Sequence, residues 1–311
     1  MDFDKDLLAR QQARSLAAQA EKAQQSLVLM GQGKLDAIVE AVAKAFAREA
    51  DSLAVLAVEE TGFGNAADKA TKNRFASQTV AEAVRSMKTV GILRETESLW
   101  EVGVPMGVIA AIVPSTNPTS TVCYKAIIAL KAGNAIVFSP HPKAVDCTLR
   151  AARIVAAAAE KAGAPAGCIG GLSMASMAGC QELMAAPEVK LILATGGPGM
   201  VKAAYSSGKP AIGVGAGNGP AYIHHSADVD HALGCILKSK TFDFGTVCAS
   251  EQSIIVEKPL EEKVRAEGKK LGFYFMTEEE AGKLARILFR PNGALNPEIV
   301  GRPAQSLAKQ A

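Results

Sequence analysis

Six cysteines stand in the chain, at positions 123, 147, 168, 180, 235 and 248, and one of them has the setting of a nucleophile. Cys248 follows Thr241-Phe242-Asp243-Phe244-Gly245-Thr246-Val247, between a helical segment and an expected strand at Ser253–Glu257. Gly245 loosens the backbone, and Ala249-Ser250 keep the neighbourhood small. A loop thiol near oriented backbone N–H groups gains thiolate character and can attack a carbonyl carbon. The competing reading is a buried structural cysteine, the ordinary fate of a free Cys. Cys123, Cys147, Cys168, Cys180 and Cys235 fall in expected helices or strands and are assigned to packing. No Cys-x-x-Cys pair occurs, so neither a disulfide framework nor a zinc site is indicated, and a reduced, cytoplasmic protein is expected.

Three other groups could carry chemistry. Asn117-Pro118 offers a side-chain amide, although alone it reads as a turn. Thr195-Gly196-Gly197 is a glycine-rich turn between strand and helix, where backbone can approach a phosphate; by itself it too is more often a plain turn. His224-His225 invites a metal, but neighbouring residues of a strand point to opposite faces, so no metal site is assigned.

The elements that must position these residues change character near residue 102. The first ninety residues read as about three helices, with Leu35, Ile38, Val39, Val42 and Phe46 at helical spacing and breaks at Gly31–Gly33 and Thr61–Gly64. Beyond them, apolar strands are expected at Val108–Val113, Ala135–Phe138, Cys168–Leu172, Lys190–Leu193, Ala211–Val214 and Ala221–Ile223. Helices are expected near 120–132, 144–162, 175–186 and 198–208. Wholly apolar strands alternating with helices indicate an α/β fold with a parallel sheet covered on both faces, whose ligands sit at the carboxyl ends of the strands. A helix from Asp228 to about Lys240 precedes the Cys248 loop. Thr277 with Glu280 forms a capping box for a helix reaching about Leu288, and a last helix begins near Ala304.

Composition limits the function classes. The 311 residues, enough for about two domains, are 49% hydrophobic with a net charge of +3, and no basic block tracks phosphates, so nucleic acid is not an expected partner. No apolar run approaches membrane-spanning length, and Met1–Asp6 lacks the apolar core of a signal peptide.

Phe242–Ser253 (FDFGTVCASEQS) resembles the nucleophile loop of coenzyme-A-acylating aldehyde dehydrogenases, including the aldehyde half of bifunctional aldehyde–alcohol dehydrogenases. Val113–Ser120 (VPSTNPTS) resembles the same group's version of the Pro-Trp-Asn segment, and Ala135–Pro142 (AIVFSPHP) and Leu193–Gly199 (LATGGPG) its cofactor-binding strands. The four matches run in the right order and cover nearly the whole chain. The resemblance implies a Rossmann-like parallel-sheet domain with N-terminal helices over residues 1–225, and a partial α/β catalytic domain over 226–311. It implies that Cys248 is the catalytic thiol and that Asn117, with the Cys248 backbone N–H, binds the oxyanion. It further implies NAD or NADP held by Ile112, Val113, Pro114, Ser139, His141, Thr195, Gly196, Gly197, Met200, Val214 and Gly215.

Two departures from the hydrolytic aldehyde dehydrogenases are informative. Ser139 stands where those enzymes have a ribose-binding Lys. Val214-Gly215-Ala216-Gly217-Asn218-Gly219-Pro220 matches their Glu-Leu-Gly-Gly segment but has no carboxylate to activate water. A thiol needs no such base, so coenzyme A is the expected co-substrate and acyl-CoA the expected product from a small aldehyde. Relatives continue beyond Ala311, so a Glu segment for the nicotinamide ribose and the oligomerisation strands of an expected homo-oligomer are expected to be missing. The alternatives are an acyl-phosphate reductase of the same superfamily and an incomplete fragment with an association role.

Overall fold

The computed structural model describes residues 4–215 and 217–311; Met1, Asp2 and Phe3 of the N-terminal reading, and Ala216 inside the Val214–Pro220 stretch, lie outside the described residues. The chain divides into two compact units, one of Met1–Thr61 with Lys69–Gly215, the other of Gly62–Asp68 with Ala216–Ala311.

The first unit opens with α1 (Lys5–Leu27), α2 (Gln32–Arg48) and α3 (Ala50–Thr61). The Asp4 carboxylate caps α1 by accepting from the Asp6 N–H at 2.8 Å. Ala9, Ala13, Ala17 and Ala20 form a buried stripe of small residues down α1. Leu35, Ile38, Val39, Val42 and Phe46 are buried on α2 as their spacing predicts. The expected three helices become more because α2 stops at Glu49 without a glycine or proline to announce it, and because α4 (Ala66–Arg74) passes through a π turn at Phe75–Thr79 into α5 (Val80–Val84). A hairpin, β1 (Gly91–Glu95) with β2 (Trp100–Gly103), was not legible in the sequence: its residues are almost all exposed and show no alternation.

β3 (Val108–Ile112), β4 (Ala135–Ser139), β5 (Ile169–Gly171), β6 (Val189–Thr195) and β7 (Ala211–Val214) make one parallel sheet in the order β5-β4-β3-β6-β7. The helices α6 (Pro118–Lys131), α7 (Val145–Lys161), α8 (Met177–Ala185) and α9 (Pro198–Tyr205) cross between the strands. Every residue of β3 and β4 is buried, as expected for central strands covered on both faces. The strand order reverses between β3 and β6, which opens a crevice at their carboxyl ends.

In the second unit β8 (Gly219–Ile223) does not extend the large sheet, as the run of six candidate strands suggested. It pairs in parallel with β9 (Glu251–Val256) in a sheet of its own. The chain between β7 and β8 is too short for the crossover that a parallel neighbour requires. Between β8 and β9 run α10 (Val229–Thr241), capped by Asp228, and a 3-10 turn at Phe242–Gly245. α11 (Glu261–Lys270), α12 (Glu278–Leu288) and α13 (Ala304–Gln310) follow, and the Thr277–Glu280 capping box is formed. Ile223, Val229, Leu233, Ile236 and Val264 make this unit's core. Among the described residues no helix is long and apolar enough to cross a membrane.

Candidate active site

Four cysteines are buried, and burial pushes their thiols up: Cys123 and Cys180 by direction, Cys147 strongly with Glu60 adding to the effect, and Cys168 to about 12. None of these can supply thiolate at neutral pH. Cys248 and Cys235 are exposed. The assignment of Cys235 to packing is therefore corrected: it lies on the open face of α10, with its Sγ 3.6 Å from Nε2 of His231 one helical turn away. Helical spacing alone did not reveal which face the residue takes.

Cys248 sits at the end of a tightly held loop. Asp243 and Phe244 both take left-handed backbone angles, φ 48° and 52°, which L residues adopt at a cost. Asp243 is fully buried and explains how the turn persists. Its Oδ1 accepts from the Asn65 N–H at 2.8 Å, its Oδ2 from the Thr246 hydroxyl at 2.5 Å, and its own N–H donates to Asp68 Oδ2 at 2.7 Å. Asn65 in turn donates to Asp68 at 2.7 Å. Gly64, at φ +71°, lies so close that a Cβ there would fall inside the Asp243 carboxylate. A second close approach lies at Gly217, where a Cβ would strike the Cys248 carbonyl oxygen. Glycine at 217 lets the backbone there lie against the Cys248 peptide. Glu251, three residues past Cys248, is held below the usual carboxylate range by a hydrogen bond from Ser239, its own backbone N–H and the Lys240 ammonium.

The first unit carries the other expected residues. Ile112 ends β3 beside Ser139 at the end of β4 and Ala194 in β6. Val113 follows, its N–H donating to the Ser139 carbonyl at 3.0 Å, and Pro114 is half-buried. Thr195 pairs with Val214, and the Gly196 N–H donates to the Val214 carbonyl at 3.1 Å, with Gly215 next in the chain. Ile112, Val113, Pro114, Thr195, Gly196, Val214 and Gly215 thus gather at the carboxyl ends of β3, β6 and β7. Gly197 caps α9, Met200 lies in its first turn against Gly196, and neither Gly197 nor Gly199 has an atom within 4 Å of where a Cβ would stand. This open helix start beside a strand-order reversal fits the phosphates of a dinucleotide. Ser139 is buried beside the Cys180 thiol, and His141 lies in the exposed loop after it, its pKa lowered by desolvation and by Lys143.

Sequence reasoning missed Lys125. It is buried on α6, and its Nζ donates to the carbonyls of Ile112 and Leu193, each at 2.8 Å, tying β3 to β6 where the crevice begins. Burial lowers its pKa to about 7. A neutral amine has two N–H groups, and two carbonyls stand ready for them. A Lys in an otherwise apolar helix face, Val122 to Leu130, was the available signal.

The opposite-faces argument about His224-His225 is also corrected. Both lie past the end of β8, their ring centroids 3.8 Å apart, and they come within 4.8 Å of Glu257. The Ser226 N–H donates to His224 Nδ1 at 3.2 Å, which leaves the ring proton on Nε2, the atom 3.7 Å from Glu257. With Tyr222 donating to Glu257 at 2.7 Å, the group forms a hydrogen-bonded surface network.

Comparison with known proteins bears on these half-sites. The profile of the Aldehyde dehydrogenase family matches residues 6–271. The chain is 46% identical over 299 residues to the bifunctional aldehyde-alcohol dehydrogenase of Escherichia coli K12, covering 96% of this chain and 33% of that one. It spans, that is, about a third of the length of that curated relative. An acetylating aldehyde dehydrogenase structure from Geobacillus thermoglucosidasius superposes with a TM-score of 0.95 at 53% identity, over 99% of this chain and 68% of that one. A Rhodopseudomonas palustris propionaldehyde dehydrogenase, solved with bound CoA and an acylated cysteine, gives a TM-score of 0.85 at 31% identity over 96% and 68%. A profile match over residues 6–271, together with identity and superposition of this extent, leads to one conclusion: the chain belongs to the aldehyde dehydrogenase family.

Proposed function

We propose that the protein oxidises a small aldehyde to an acyl-CoA with NAD or NADP, reversibly, through a thioester on Cys248. The Cys248 thiolate forms a C–S bond to the carbonyl carbon, and the carbonyl electron pair moves onto oxygen. The Asn117 amide and the Cys248 backbone N–H hold that oxyanion; one such donor is worth roughly 3–4 kcal/mol in comparable sites. A nicotinamide held at the strand ends would supply the hydride acceptor; once hydride has left and the C=O has re-formed, the acyl group stays on Cys248 as a thioester. Ile112, Val113, Pro114, Ser139, His141, Thr195, Gly196, Gly197, Met200, Val214 and Gly215 are the residues proposed to hold the cofactor, at the strand ends and the start of α9. The thiolate of CoA then attacks the thioester carbon and releases Cys248.

One observation carries the choice of acceptor: the Val214–Pro220 sequence, whose Gly217 lies against the Cys248 peptide, contains no carboxylate. The carboxylate nearest in sequence, Glu251, is held below its ordinary pKa by Ser239 and Lys240, which makes it a poor base for water. That a propionaldehyde dehydrogenase relative was solved with CoA and an acylated cysteine supports the reading. The test uses the protein as its gene encodes it, assayed with short aldehydes and NAD or NADP, with and without CoA. Turnover should require CoA; free acid formed at full rate without it overturns the proposal. Cys248→Ala should abolish turnover.

A further inference from the structure

Asn117 stands at the N-cap of α6, a position where asparagine normally turns its side-chain oxygen onto the first free N–H groups of the helix. Here it makes no side-chain capping bond. Its Oδ1 instead accepts from the Nζ of Lys72 at 2.5 Å. A lysine ammonium can only donate, so whatever it touches must be the amide oxygen. That removes the usual ambiguity of an asparagine flip and fixes the other end of the group as the amide nitrogen, which directs one N–H to Thr116 Oγ1 at 3.2 Å.

Lys72 does not reach Asn117 alone. Lys69, Lys72 and Asn73 share one face of α4 at spacings of three and four residues, and all three touch the segment that starts α6. Lys69, 2% exposed, donates to the Thr116 carbonyl at 2.9 Å. Asn73, also buried, accepts from the Thr119 hydroxyl at 2.8 Å and donates to the Ala50 carbonyl at 2.9 Å. Thr116 and Thr119 are thus pinned on either side of Asn117, and the one side chain left to set is set by a cation.

We propose that Lys72 is the positioning residue of the oxyanion hole: its ammonium, on Asn117 Oδ1, fixes which way the amide faces and strengthens its N–H groups as donors. Two effects act together. Orientation presents nitrogen rather than oxygen to negative charge, and polarisation through a chained hydrogen bond sharpens the donor where charge develops. No bond to Lys72 forms or breaks. The proposal rests on the reading of Asn117 as an oxyanion donor, and its test separates the two.

The experiment uses the protein as its gene encodes it, with Lys72→Met, Lys72→Arg, Asn117→Ala and the Met/Ala double variant. The primary reading is the single-turnover burst of reduced nicotinamide from a saturating short aldehyde without CoA, so that only the first half-reaction is seen. Lys72→Met is expected to slow the burst about ten- to a hundredfold, somewhat less than loss of a whole oxyanion donor. Lys72→Arg, which keeps charge and donors, should recover most of it. In the Asn117→Ala background Lys72→Met should change the burst by less than about twofold, because a residue that acts through another has nothing left to act on. Cofactor Kd and thermal midpoint should stay at wild-type values in Lys72→Met. An equal loss in both backgrounds, an unslowed burst in Lys72→Met, or a loss that tracks a lowered midpoint or weakened cofactor binding overturns the role of Lys72 while leaving Asn117 in place. An undiminished burst in Asn117→Ala overturns the oxyanion reading itself and this proposal with it.

Discussion

Replacing Gly64 with alanine should disrupt the Cys248 loop from a distance of 184 positions along the chain (248 − 64). The residue sits at φ +71°, and its missing Cβ would occupy the space of the Asp243 carboxylate. The backbone conformation alone costs an L residue about 1–2 kcal/mol. The carboxylate cannot simply swing away, because each oxygen is engaged, one by the Asn65 N–H and the other by the Thr246 hydroxyl. Giving up one charge-assisted hydrogen bond costs about 1.5–3 kcal/mol, so the total comes to roughly 2.5–5 kcal/mol. Asp243 and Phe244 would then relax from their left-handed angles and carry Cys248 with them. The assay pairs denaturant unfolding with the rate of iodoacetamide alkylation of Cys248 in a Cys235→Ser background, which silences the other exposed thiol. Gly282→Ala is the control: it lies inside α12 and no atom lies within 4 Å of its Cβ position, so stability should hold or rise slightly. A Gly64→Ala protein that loses no more than the backbone cost of about 1–2 kcal/mol, with alkylation unchanged, would refute the idea that the buried carboxylate holds this loop.

Gly217→Ala should act at the same loop from the other side, forcing the Cys248 peptide to move; steady-state kcat should fall at least about tenfold, as misplacement of a reacting group by an ångström does, while the midpoint of the first unit is unaffected. Lys125→Met should change how stability depends on pH. The folded pKa is about 7 and the unfolded value is 10.5. Between those values the unfolded chain binds a proton that the native chain does not, so stability gains up to about 1.4 kcal/mol per pH unit from this group as pH rises. Below pH 7 the burial penalty is fully present. The difference in unfolding free energy between wild type and Lys125→Met, measured from pH 6 to pH 9, should therefore tilt in favour of wild type; a flat difference would show that Lys125 stays charged in the folded protein across this range.

Much of this architecture was legible because its cause is local. The all-apolar runs that became β3 and β4, the helical spacing on α2 and the Thr277–Glu280 box each carry their own explanation within a few residues. What stayed hidden depends on long separations or on exposure. Asp243 looks like any loop aspartate until Asn65, 178 residues earlier, is placed on it. Lys125 stands out in the sequence only as a charge on an apolar helix face, and the carbonyls that explain it come from β3 and β6; Lys72 looks like any solvated lysine until the Asn117 amide is placed beside it. α11 escaped notice because it buries little more than Val264 and is held by surface pairs such as Lys270 with Glu267. The exposure of Cys235 likewise needed coordinates.

The bond between Asn65 and Asp243 also orders events in time. Local helices and the capped α12 can form as soon as their own residues exist, but the turn ahead of Cys248 needs Asn65 and Asp68 to be brought back across most of the chain. Closing a loop of that length carries an entropic charge that no nearby contact repays. The thiol therefore reaches its working geometry late in folding, after the elements on either side of that loop are in place. A growing or partly folded chain carries Cys248 but not yet the turn that places it.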